Sequence, residues 1–333
     1  MPGRLKSILD HLDGFTLVLL LALVLSFVAP VKGSLYDIFY ILSKLVVALL
    51  FFLHGAKLSP QNIKDGFTNY KLQLLILVST FVFFPLAALA LKWPLGLVLP
   101  QGLVLGFLFL ACLPSTVQSS IAFTSIAKGN VAAAVCAASA SSLLGVVVTP
   151  FLVGILVRHG GASTGLSSLW DLTVQLVLPF ALGQLLRPKL KAVLERRKKI
   201  TDVTDRLSVV FIVFVSFSHA TNTGLWKSMD LAMIPALIVG SLVLLALALI
   251  FTWKAGGLLG FAYPDRAAIL FCGSKKSLMA GVPMANIILP PDAASLLIIP
   301  LMCFHQVQLI ACAMIAKRLA RRQDGGEIPE SAP

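Results

Sequence analysis

Two adjacent lysines, Lys275 and Lys276, stand in the middle of the apolar stretch Asp265–Leu289, DRAAILFCGSKKSLMAGVPMANIIL. A lysine in hydrocarbon costs roughly 2.5–3.5 kcal/mol even on lenient insertion scales, so such residues face a cavity or a partner. Three chemistries are open to them: attracting an anion, carrying a proton, or bonding carbonyls freed by a break in the neighbouring backbone. Ser274 and Ser277 flank the pair together with Gly273. These are the small, weakly helical residues of a helix interrupted at mid-depth. In an unbroken helix the two side chains would diverge by about 100°, so only one could face a given cavity; an unwound break relaxes that limit.

A second polar cluster lies about half a chain earlier. PSTVQSS, Pro114–Ser120, sits inside the apolar run Leu103–Ile126 and sets Ser115, Thr116, Gln118, Ser119 and Ser120 beside a helix-breaking proline. Hydroxyls and freed carbonyls suit a cation, and the N-terminus of the following half-helix suits an anion. CFHQVQ adds His305, Gln306 and Gln308 near the middle of the last apolar run, where the imidazole suits a proton carrier, a substrate contact or an interhelical hydrogen bond. The small-residue run AAAVCAASASSLLG reads as a close helix-packing surface, with Ser139 able to reach an ion. The acidic residues lie at run ends, in loops or in tails, so no carboxylate is available at mid-depth. The five cysteines fall inside apolar runs with neither CxxC nor metal spacing and read as small hydrophobes, so no metal site is expected beyond the ion the serines could hold. HExxH and paired carboxylates do not occur, which argues against an enzyme.

The elements that must position these residues are membrane spans. Hydrophobic residues make up 58% of the 333 and charged residues 12%, which excludes a soluble globular domain and leaves no room for a soluble catalytic one. Ten runs have spanning length: Phe15–Ala29, Tyr36–Leu53, Leu72–Leu91, Leu103–Ile126, Ala132–Val157, Leu169–Leu186, Val203–His219, Leu231–Phe251, Arg266–Leu289 and Ala293–Ala316. The longest polar connection, Arg187–Asp202, reads as a basic loop. Of the 27 lysines and arginines, nineteen fall on the side of the N-terminus and four, Lys32, Lys92, Arg158 and Lys227, on the other. The positive-inside bias puts both termini in the cytoplasm, and it accounts for the net charge of +13 without nucleic acid. Matching offsets between the halves, and a break in each, predict an all-α membrane protein of ten helices in two inverted repeats, 14–160 and 168–317, followed by a cytoplasmic tail, 318–333.

FFLHGAKLSPQNIKDGF, FVFFPL, CLPSTVQSSIAFTSIAKGNVA and FCGSKKSLMAGVPM, with the His305–Gln306 pair, give the chain a resemblance to the bile acid:sodium symporter family, in its divergent branch of unsettled substrate. It runs from about Phe15 to Ala316. The resemblance implies a panel domain of spans one, two, six and seven and a core domain of spans three to five and eight to ten, with spans four and nine broken and crossing. It implies sodium ligands in both breaks, matched in part by Ser119 and Ser120. It also places Phe271 where the family has a glutamate, Lys275 and Lys276 where it has a glutamine-asparagine pair, and Thr80 where it has a glutamine; His305 and Gln306 match a cavity-lining pair. A fixed ammonium so close would repel sodium, which weighs against sodium coupling.

The function expected is secondary active transport of a small organic anion through a plasma membrane, or a bacterial inner membrane, by alternating access. The hydroxyls would supply polar ligands, and one lysine, Lys275 in preference to Lys276, the positive charge. A lysine that released and regained its proton in each cycle would make transport proton-linked, and one occupying the cation's place would make it indifferent to sodium. No other cofactor is expected, nucleic acid is not a partner, and the oligomeric state is not fixed. The contrasting expectation is a membrane regulator that keeps the transporter fold and docks protein partners on the basic loop.

Overall fold

The computed structural model describes residues 14–59, 69–157, 166–225, 230 and 232–324, with the backbone alone for 166–173 and 324. The regular structure among the described residues is all helix, with no strand. In chain order the helices are α1 (Gly14–Val28), α2 (Gly33–Lys57), α3 (Tyr70–Gly96), α4 (Gln101–Cys112), α5 (Gln118–Ile126) and α6 (Val131–Leu156). They continue with α7 (Leu166–Arg196), α8 (Lys198–Asn222), α9 (Met233–Leu258), α10 (Tyr263–Gly273), α11 (Leu278–Ile288) and α12 (Pro291–Asp324). Five of them, α2, α3, α6, α9 and α12, are each long and apolar enough to cross a bilayer by length and composition; α1 and α4 are apolar but shorter. Large side chains point outward along these helices, for example Leu21, Leu45, Leu86, Ile155 and Ile250. Lipid tails tolerate such a surface and water does not.

One expectation is corrected. The segment Arg187–Asp202 is not a loop: α7 runs to Arg196, a single turn intervenes at Arg197, and α8 starts at Lys198. RPKLKAVLERRKKITD is polar, yet it consists largely of Leu, Lys, Arg, Glu and Ala, the best helix formers, so the helices continue beyond the apolar register. For the same reason α12 carries on through KRLARRQ to Asp324. Arg4, Lys6, Lys64, Arg158 and Lys227 of the charge count, and the end of the 318–333 tail, lie outside the described residues.

The chain divides into two compact units. The first comprises Met1–Lys57, Val174–Asp230 and Val282–Ser295. Within it α8 packs on α1 and α2, with Phe39 against Phe211 and Tyr36 stacked on His219, whose Nε2 lies 2.7 Å from Asp292. Lys57 at the end of α2 pairs with Asp205 at 2.6 Å and Asp202 at 3.2 Å, and Lys44 lies over the ring of Tyr40.

The second unit comprises Leu58–Thr173, Leu231–Gly281 and Leu296–Pro333, and it holds both polar breaks. Its core joins Leu72, Leu75 and Ile76 of α3 to Ala133, Ala134 and Ala137 of α6 and Ala268, Ile269 and Cys272 of α10. The starts of these three helices are tied by one carboxylate. Asp265 accepts from Asn130 Nδ2 at 2.8 Å and from Asn69 Nδ2 at 3.3 Å, while each asparagine caps its own helix, Asn130 on Ala133 N and Asn69 on Leu72 N. Replacing Asn130 by alanine removes a cap and a charge-assisted bond together, and should cost about 1–2 kcal/mol. The detergent-solubilised variant should melt lower than Asn222→Ala, which loses a single bond to Val31 O in the first unit; equal midpoints would speak against the tie.

Candidate functional site

Within the second unit the two breaks, Leu113–Val117 between α4 and α5 and Ser274–Ser277 between α10 and α11, meet. Each break leaves helix-end carbonyls without backbone donors, and in a membrane interior these must be satisfied by something other than water. The donors come from the opposite break. Ser115 Oγ donates to Cys272 O at 2.6 Å and Ser120 Oγ to Phe271 O at 3.1 Å, so the first break caps α10; Ser79 of α3 completes the set on Gly273 O at 2.7 Å. In return Ser277 N donates to Pro114 O at 3.0 Å, and Lys276 Nζ donates to Ala111 O and Leu113 O at 2.7 Å each, capping α4. Cys112 O accepts from Thr149 Oγ1 of α6. Gly145 of α6 makes room for the kink, since a methyl group there would lie 2.7 Å from the ring of Pro114.

The third acceptor of Lys276 is Thr80 O, also at 2.7 Å. That carbonyl is free because residues 79–83 of α3 form a π-turn: Phe84 N–H bonds Ser79 O, and the next residue, Pro85, has no N–H to give. Ala111 O is free for a similar reason, with Pro114 three residues on and the N–H of Ser115 spent on Ser141 Oγ. An ammonium has three protons, and Lys276 places all three on orphaned carbonyls, with the ring of Phe84 4.3 Å away. Gln308 fixes the lysine's backbone from α12, its Oε1 accepting from Lys276 N and its Nε2 donating to Lys276 O. The Nε2 group also lies 2.9 Å from His305 Nδ1, so that nitrogen is the acceptor and the imidazole proton sits on Nε2.

Lys275 is the contrast. It is as fully buried as Lys276, yet its Nζ has no hydrogen-bond acceptor among the described residues. It lies 3.8 Å from the centroid of the Phe123 ring and 5.7 Å from that of Phe271, a cation–π seat that attracts positive charge without spending any N–H.

The other residues proposed from sequence fall into groups. Thr116, Ser119 and Ser120 form a hydroxyl chain, with Ser119 Oγ 2.9 Å and Ser120 Oγ 3.0 Å from Thr116 Oγ1; Ser119 is half-buried, and Gln118 beside it is exposed. Ser274 bonds back to Leu270 O, and Ser277 caps α11 by accepting from Ala280 N. Thr80 contributes its carbonyl, its hydroxyl being turned to Ile76 O. Ser139 is buried on α6, and it is Ser141 that ties the first break to that helix, accepting from Ser115 N. Gln306 is half-buried on α12. Ser79, which the sequence did not single out, and Gln308, which it left without a role, carry only faint marks there: a serine six residues ahead of Pro85 and a glutamine one turn after His305.

A family model described as the SBF-like CPA transporter family matches residues 13–321. Among curated proteins the chain is 46% identical over 313 residues to an uncharacterized protein of Pseudomonas aeruginosa and 42% identical over 313 residues to the putative symporter YfeH of Escherichia coli, with 94% of both chains covered in each case. It is 29% identical over 283 residues to sodium/bile acid cotransporter 7 of Danio rerio, again over 84% of both chains.

Proposed function

This chain belongs to the SBF-like CPA transporter family, and from that premise we propose that it is a secondary active transporter of a small organic anion, working by alternating access. The observation that carries the reading is Lys275: a buried lysine with no acceptor, beside two helix breaks, and with no mid-depth carboxylate to neutralise it among the described residues of its unit. A carboxylate or sulfonate is the partner such an ammonium lacks. The hydroxyl chain of Thr116, Ser119 and Ser120, with Gln118, Ser274, Ser277, His305 and Gln306, would supply the neutral hydrogen bonds that select among anions. The name of the zebrafish relative joins sodium to bile acid, and a steroid acid is accordingly one member of the substrate class to try.

The same reading takes the chain as ten spans in two inverted five-helix repeats, 14–160 and 168–317, with α4 and α5 forming one span and α10 and α11 another. Support comes from the reciprocity of the capping, in which each break supplies the donors for the helix end of the other. The division into panel and core draws support from the first unit, which contains α1, α2 and α8 with most of α7, although it also takes in Val282–Ser295 of α11 and α12, which that division gives to the core. Sodium as coupling ion does not fit the carbonyl cluster, because Thr80 O, Ala111 O and Leu113 O are all bonded by Lys276. Ser119 and Ser120 are engaged with Thr116, and an ion there would have to break that chain. The proton is the coupling ion this leaves.

Purified protein in proteoliposomes, offered a panel of labelled small carboxylates, sulfonates and steroid acids under an imposed proton gradient, should accumulate at least one of them. A protein that neither binds nor moves any member would sink the reading.

A further inference from the structure

Lys276 differs from a lysine that merely tolerates burial, because its ammonium sits in a ready-made cation site. The three oxygens around it come from two helices, and the orphaning of two of them has an identifiable backbone cause: the π-turn before Pro85 for Thr80, and the kink at Pro114 for Ala111. Leu113, the third, ends α4 in an extended conformation. All three are neutral carbonyls, and three equal contacts of 2.7 Å match the three protons of the ammonium one to one. An all-carbonyl set without a carboxylate suits a monovalent cation and is too weakly charged for a divalent one. The C-terminal end of α4 adds its negative dipole end. Gln308 then holds the Lys276 peptide on both its N–H and its C=O, so the ammonium is delivered to the site by a fixed backbone.

We propose that Lys276 is a tethered monovalent cation: its ammonium fills a carbonyl site between α3 and α4 that would otherwise require a free ion, and the protein therefore assembles its crossing helices without sodium. Taking the side chain away should uncover a site for a free cation. Methylammonium and ammonium are the natural replacements, since they reproduce the donors, and sodium or potassium could reproduce the charge.

The test is the melting midpoint of the purified full-length protein in chloride salts of choline, sodium, potassium, ammonium and methylammonium at equal ionic strength. Wild-type protein should melt at the same temperature in all five. Lys276→Ala should melt lower in choline and regain roughly 5 °C, saturably, in at least one of the small cations. Lys276→Met, which refills the volume with apolar atoms, should be lowered and not regained. A saturable rise of the wild-type midpoint with sodium, or a Lys276→Ala protein as stable as wild type and blind to every cation, would overturn the proposal. If Lys276→Ala yields no folded protein, the wild-type comparison decides alone: equal midpoints in sodium and choline support the tethered cation, and a sodium-dependent rise refutes it. A second consequence, uptake in proteoliposomes undiminished when choline replaces sodium, rests on the transporter reading. The melting measurements do not, so the two ideas fail separately.

Discussion

Replacing Lys275 by methionine should leave a folded protein that has lost anion uptake by on the order of 10–100-fold. The two halves of that expectation come from the same geometry. Among the described residues Lys275 Nζ holds no carbonyl, hydroxyl or carboxylate, so removing it orphans none of them, and a methionine of similar length would lay its thioether against the Phe123 ring, a favourable contact. An ammonium that closes on a carboxylate contributes about 1.5–3 kcal/mol through charge-assisted hydrogen bonds, which sets the loss in affinity. Lys276→Met is the opposite case. It strands Thr80 O, Ala111 O and Leu113 O in a dry interior, each at a cost of about 1–3 kcal/mol, and the damage should appear in stability before it appears in transport. Uptake and melting midpoint measured on both variants separate the roles. Full uptake by Lys275→Met would remove Lys275 as the counter-charge, and a Lys276→Met protein of wild-type stability would remove Lys276 as the cap.

The adjacent lysines also show how far the sequence could be read. Two ammonium groups in an apolar run, with serines and a glycine around them, point to a break whatever their partners are, because helix propensity and the cost of buried charge are local properties. Which lysine bonds the backbone is not local. Ala111, Leu113 and Thr80 lie far away in the chain, and a carbonyl carries no sequence mark of being free. The π-turn was half legible, since FVFFP announces a proline inside a helix but does not say which carbonyl loses its donor. Hydroxyls read as ligands for an ion also act as caps: Ser115 and Ser120 serve α10, at a sequence distance of about 150 residues. The helical run through Arg187–Asp202 was missed for a different reason. Hydropathy marks where the apolar face ends, whereas Leu, Lys, Arg and Glu continue a helix beyond that point, and reading one property as the other produced a loop. Gly55 and Gly183 lay in the sequence without comment, because close approach of two backbones is a tertiary event.

Those glycines give the second large effect. In the first unit α2 and α7 cross backbone to backbone: a methyl group on Gly55 would fall on the carbonyl oxygen of Phe180, and one on Gly183 would fall on the carbonyl oxygen of Phe52. Each clash is with main chain, which cannot rotate away as a side-chain tip can, so the helices must part along the contact. Small residues are what allow such approach in membranes, where packing and Cα–H···O contacts replace the hydrophobic drive between helices. Gly55→Ala should therefore cost roughly 3 kcal/mol or more and reduce the yield of monodisperse protein in detergent. Gly183→Ala should do the same. The double variant should cost much less than the sum, because helices already parted by one methyl have room for the other. Gly96→Ala is the control: it sits near the end of α3 with nothing within 4 Å of the added methyl, and should be neutral or gain up to about 1 kcal/mol of helix propensity. Melting midpoints of the four variants decide the matter; Gly55→Ala as stable as Gly96→Ala would mean that α2 and α7 do not cross at these two glycines, and strict additivity of the double variant would mean that the two contacts are not one crossing.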